Sequence, residues 1–80
     1  MIDNKLLTLI TLAETKNFTR AANELMMTQP AVSHHIQQLE EEFDTKLVIR
    51  KKNEVLLTEE GKIVVEYAKK IMTLYDKIKV

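Results

Sequence analysis

No cysteine occurs in the sequence, which excludes disulfides and thiolate chemistry and suits the cytoplasm, the expected location. Glycine and proline occur once each, as Gly61 and Pro30. So few punctuating residues leave little room for turns or a β-rich architecture, and a mostly helical chain with tight connections is expected. No apolar run reaches the 18 or more residues of a membrane-spanning helix. The opening segment MIDNKLLTLI lacks a basic leader and a small-residue cleavage site, so no signal peptide is expected. There is also no excess charge, with 12 basic and 12 acidic residues in 80. A chain of this length holds one small domain with a modest core.

The charge is unevenly spread. Residues 1–45 carry three basic and seven acidic side chains, whereas residues 46–80 carry nine basic and five acidic ones. The basic residues are densest in Lys46-Leu47-Val48-Ile49-Arg50-Lys51-Lys52, and the acidic ones in Glu40-Glu41-Glu42 with Asp44. A phosphate feels the charge within one Debye length, roughly 8–10 Å, so the local patch outweighs the total. Zero net charge predicts only modest non-specific affinity for a polyanion.

Hydrophobic spacing predicts the elements. Leu6, Leu7, Leu9, Ile10 and Ala13 mark a helix over about Asn4 to Glu14 with Asp3 as its cap, followed by a turn in which Asn17 takes the left-handed conformation. A short second helix is expected behind Thr19 as cap, carrying Ala21, Ala22 and Leu25. Thr28 caps a third, with Pro30 in its first turn. Val32, Ile36, Leu39 and Phe43 form its core stripe, and Gln29, Ser33, His34 and Gln37 its hydrogen-bonding face. Leu47-Val48-Ile49 and Val55-Leu56-Leu57 read as a small hairpin turned by Asn53 with positive φ. Thr58-Glu59-Glu60 opens a last helix that runs to the end.

The expected fold class is therefore mostly α: a winged helix-turn-helix, with a three-helix core and a two-stranded β wing over residues 1–58, followed by a long C-terminal helix over 59–80. That arrangement suits double-stranded DNA. A helix fills the major groove and its N-terminal residues reach base edges, while its dipole favours phosphate. The hairpin tip carries Arg50, Lys51 and Lys52, placed for a flanking phosphate or the minor groove.

The runs Phe18-Thr19-Arg20-Ala21-Ala22-Asn23-Glu24-Leu25 and Thr28-Gln29-Pro30-Ala31-Val32-Ser33 resemble the LysR-type transcriptional regulators. So do Ile36, Leu39-Glu40, Leu47, Arg50 and Leu57-Thr58-Glu59-Glu60-Gly61. The resemblance implies a dimeric regulator that reads a two-fold operator, with an effector-binding domain beyond the linker helix that is absent from this chain. On that reading the chain is a fragment of a longer protein, a naturally short protein being the alternative. The resemblance places Gln29, Pro30 and Ser33 at the groove-facing start of the reading helix. It sets Thr19, Arg20 and Thr28 near backbone phosphates, and has Arg50 anchor the wing. Five positions depart from the family pattern: His34 stands at a usual arginine, Gln37-Gln38 where basic residues are common, Val48 at a frequent phenylalanine and Asp44 at a frequent glycine. The changes at positions 34, 37 and 38 remove positive charge from the reading helix, and only a protonated His34 mimics the arginine.

On the last helix, Gly61, Val64, Ala68, Ile71, Tyr75 and Ile78 form a heptad-like seam, which assigns Val64, Ala68, Ile71, Tyr75 and Ile78 to a homodimer interface, with small Gly61 and Ala68 allowing close approach. Ile63, Tyr67 and Leu74 make a second apolar face; one face packs on the body and the other asks for a partner. No nucleophile–base pair, phosphate-cradling loop or cofactor motif is present. Adjacent His34 and His35 diverge by about 100° on a helix, so they read as surface residues and not metal ligands. The rival reading is a dimerisation module, or a short antagonist that pairs with a full-length regulator.

Overall fold

The computed structural model describes residues 3–79. Helix α1 spans Asn4–Thr15, α2 Phe18–Leu25 and α3 Gln29–Phe43; strands β1 (Val48–Arg50) and β2 (Val55–Leu57) follow, then helix α4 (Glu59–Ile78). One core joins Leu9, Leu12, Ala21, Val32, Ile36 and Leu39 to Leu47, Val65 and Ala68.

Each helix begins on an oxygen that accepts from a first-turn amide, as capping chemistry requires. Asp3 accepts from Lys5 N at 2.7 Å, and Thr28 from Ala31 N at 3.2 Å. The cap of α2 is Asn17, which accepts from Arg20 N at 2.9 Å, and not Thr19. Two good capping residues stand two apart here, and the need to bury Phe18 inside the helix selects the earlier one. Asn17 is extended, with φ −153°; the left-handed residue of that turn is Lys16, φ 57°. Met26 and Asp44 close α2 and α3 in the same conformation. The amides of Met27 and Thr45 then return to Ala22 O and Glu40 O, the bond that satisfies an orphan helix carbonyl.

Two side chains depart from the expected pattern in α1 and α3. Phe43 ends the α3 stripe 43% exposed, so only Val32, Ile36 and Leu39 are buried there. In α1, Thr8 is buried among the apolar residues. Its hydroxyl donates to Asn4 O, and its oxygen lies 2.8 Å from His35 Nδ1. His35 is therefore a half-buried tie between α1 and α3, not a surface residue.

The wing is an antiparallel pair in which Val48, Ile49 and Arg50 face Leu57, Leu56 and Val55. Lys51 N donates to Glu54 O at 2.8 Å and closes the loop. Asn53 is not among the positive-φ residues; a four-residue loop turns the chain without the left-handed centre that a two-residue hairpin demands. The wing is tied back to the helices by Val55 N, which donates to Lys16 O at 3.0 Å.

The base of the wing is held at Leu47. The Glu40 carboxylate accepts from Leu47 N at 2.8 Å and from Val48 N at 3.4 Å, so this acid anchors the start of β1. Leu47 O accepts from Thr58 N. The Thr58 hydroxyl donates to Lys46 O and accepts from Gly61 N, capping α4. A Cβ at position 61 would be driven into Leu47 O. Gly61 thus lets α4 sit directly on its own chain's backbone, a different use from close approach to a partner helix.

That contact sets which way α4 faces. Gly61, Val65 and Ala68 are buried against the body, with Val64 and Met72 packed beside them. Ala68 is 1% exposed and lies inside the chain's own core, which takes it off the outer seam. Ile63, Tyr67, Ile71, Leu74 and Ile78 are all exposed and follow one another at helical spacing.

Candidate nucleic-acid interface

The candidate interface is built on the N-terminal half of α3. At 100° per residue, Gln29, Pro30, Ser33, His34 and Gln37 fall within an arc of about 140°. Four of them are exposed and Ser33 is half-buried. The opposite arc holds Val32, Ile36 and Leu39 in the core, so burial fixes which side chains point outward. Thr28 precedes them as the cap, and the unbonded amides of the first turn give this end its partial positive charge.

The wing meets this helix through Arg50. Its guanidinium carbon stands 4.2 Å from the centre of the Phe18 ring, and Nη2 donates to Ser33 Oγ at 3.4 Å. Beside this contact lie two clefts. One, of about 260 Å³, is lined by Asn17, Phe18, Thr19, Gln29, Lys51 and Lys52 among others. The second, of about 420 Å³, runs between α3 and β1 past Ser33, Gln37, Lys46 and Arg50. Thr19, Gln29, Lys51 and Lys52 are therefore brought together, as are Ser33, Gln37 and Arg50. Arg20 is set apart, in a separate depression with Glu14 and Glu24.

Electrostatics favour an anion at the wing. The ion pairs among the described residues engage Lys5, Lys46, Lys62 and Lys70; Arg50, Lys51 and Lys52 are in none of them. No group of three or more His, Cys, Asp or Glu side chains is placed to hold a metal, and no helix is long and apolar enough to cross a membrane, both among the described residues.

Three contributors escape a reading of the sequence. In the sequence Phe18 is only the first residue of a family-like run, Lys46 one of a basic run, and Glu40 one of an acidic run. Their contacts with Arg50, the α3–β1 cleft and the Leu47 and Val48 amides join different elements of the fold. The one signal present for Glu40 is its place at a helix C-terminus, where an acid calls for a compensating donor.

A helix-turn-helix whose third helix presents polar side chains beside a cationic two-stranded wing is a winged helix-turn-helix protein. Residues 4–62 match the family described as bacterial regulatory helix-turn-helix protein, lysR family, and the chain belongs to that family. The HTH-type transcriptional regulator CysL of Bacillus subtilis (strain 168) is 45% identical over 72 residues, which is 90% of this chain and 24% of that protein. Among solved structures, the BenM DBD/catB site 1 DNA complex superposes with a TM-score of 0.89 at 35% identity, covering 94% of this chain and 84% of that one. The CbnR DBD–DNA complex gives a TM-score of 0.90 at 29% identity, covering 95% and 87%. The chain spans about a quarter of the length of the curated relatives it matches.

Proposed function

We propose that this chain binds double-stranded DNA sequence-specifically, as the N-terminal reading domain of a cytoplasmic transcriptional regulator that acts as a homodimer on a two-fold operator. Its role is binding and not turnover, with no cofactor. The observation that carries the reading is that Gln29, at the start of α3, shares one cleft with Thr19 and with the wing cations Lys51 and Lys52, which outnumber the single acid there, Glu54. Two similar structures, of the BenM and CbnR DNA-binding domains, are complexes with DNA, which adds support. Gln29 and Ser33 read base edges, with Pro30, His34 and Gln37 beside them. Thr19, Thr28, Lys51 and Lys52 meet phosphates, and Arg20 reaches the backbone outside the main cleft.

Residues 59–80 supply the partner contact. The exposed face of Ile63, Tyr67, Ile71, Leu74 and Ile78 carries it, with the half-buried Val64 and Tyr75 at its border. An effector-binding domain in the longer protein would follow this helix.

The test is selection of duplexes from a random-sequence pool, followed by titration across salt concentrations. Neutralising about six phosphates gives a log–log slope near −5. Gln29→Ala and Ser33→Ala lower affinity for the selected duplex and relax its sequence preference. A chain that recovers no duplex and shows a flat salt response overturns the reading. Zero net charge and the exposed α4 face favour one alternative, a dimerisation module or antagonist, in which those two substitutions leave function unchanged.

A further inference from the structure

We infer that Phe18 is a positioning residue for DNA recognition: its ring holds the Arg50 guanidinium against the start of the reading helix, so that wing and helix meet the duplex as one surface. The inference rests on the DNA-binding reading above.

The geometry separates this from ordinary core packing. Phe18 is 8% exposed, so most of its surface is core, but the remaining ring face is covered by Arg50 at 4.2 Å. That is well within the roughly 6 Å over which an aromatic quadrupole attracts a cation. Arg50's other contact, with Ser33 Oγ, is 3.4 Å long, near the outer limit for a hydrogen bond. Relative to the range of each interaction, the ring is therefore the closer of the two contacts that hold the guanidinium, and the long hydrogen bond accompanies it. A guanidinium has five N–H donors in a fixed fork, so stacking its face leaves the edge free for a phosphate oxygen or a base. An ammonium at this position would keep the charge and lose that direction.

Both partners are hung from the same few residues. Arg50 closes β1 opposite Val55, and Val55 N donates to Lys16 O, two residues before Phe18. The ring sits in the first turn of α2, whose cap is Asn17. Any rotation of the wing about this tie slides Arg50 off the ring, so the stack resists the motion that changes the angle between wing and α3.

A thermodynamic cycle on a duplex selected with the unmodified chain tests this. Phe18→Leu keeps an apolar side chain in the core and removes the ring. It is expected to weaken binding about 5-fold when Arg50 is present, and less than about 2-fold in an Arg50→Gln background. Phe18→Tyr, which keeps the ring, recovers most of the loss. Circular dichroism melts of every variant establish that each is folded at the titration temperature. Equal losses in both backgrounds, or no loss in either, overturn the proposal while the DNA-binding reading stands. An unmodified chain that recovers no duplex overturns both. If Phe18→Leu does not fold, Phe18→Tyr and Phe18→Met are compared in both Arg50 backgrounds, and additivity between ring and guanidinium again overturns it.

Discussion

The Glu40 carboxylate and the Leu47 amide, 2.8 Å apart, fix where the chain leaves α3 and enters the wing. Glu40 also takes the Val48 amide, at the longer distance of 3.4 Å, and its side chain is largely withdrawn from solvent. Hydrogen bonds to a charged group each contribute about 1.5–3 kcal/mol. Glu40→Ala is therefore expected to lower the unfolding free energy by about that amount in urea titrations. Glu40→Gln, which keeps an acceptor oxygen, loses roughly half as much. Equal stability of all three chains would show that the carboxylate is dispensable.

Gly61 admits no side chain because of Leu47 O. Gly61→Ala forces α4 away from the wing base and is expected to destabilise by about 2–3 kcal/mol, within the range for overpacking. The usual gain in helix propensity from glycine to alanine, about 1 kcal/mol, is too small to offset it. Thermal melts measure the balance, and a raised Tm would contradict the contact.

Asp44 holds φ 53° at the end of α3, a conformation that glycine enters without steric penalty. Its negative charge also lies at the unfavourable end of the helix dipole. Asp44→Gly should stabilise the fold by about 0.5–1 kcal/mol. A chain no more stable than the original in the same urea titration would show that aspartate meets no strain there.

His34 is exposed on the outward face of α3. His34→Arg adds one fixed positive charge to that face. The salt dependence of duplex binding is expected to steepen by about 0.9 in log–log slope, with the affinity gain fading at high salt. An unchanged slope would place residue 34 away from the phosphates.

Leu74 is 60% exposed on the outer side of α4. Leu74→Glu is expected to change stability of the single chain by less than about 0.5 kcal/mol, as surface substitutions do. Sedimentation equilibrium should nonetheless shift toward the monomer, because a carboxylate then enters an apolar contact. A variant that associates as strongly as the parent would put the partner contact elsewhere.

Most of the fold is legible in the sequence because its signals are local. Asp3, Thr28 and Thr58 mark helix starts through hydroxyl or carboxylate capping, and Pro30 fits the first turn of α3. The reading helix is legible for the same reason: once Val32, Ile36 and Leu39 face inward, Gln29, Ser33 and Gln37 face outward. Relations between elements are not legible. Periodicity along α4 reveals a broad apolar arc but not its direction, which Gly61 settles only through the Leu47 carbonyl. Asn53 resembles a turn residue by composition, yet loop length decides the turn. Phe18 and Arg50 have no sequence signal joining them, since nothing in either neighbourhood encodes the other.

The seat of α4 on Leu47 makes the helix a lever. Its base is pinned by Glu40, Thr58 and Gly61, while its last turns run past the buried Ala68 to the exposed Ile78. From Gly61 to Ile78 the axis measures about 25 Å at the rise of an α-helix. A tilt of about 5° at the base thus carries the tip roughly 2 Å. If a second reading head is gripped along that arm, as proposed above, a small distortion beneath Gly61 becomes a measurable change in the distance between two DNA half-sites.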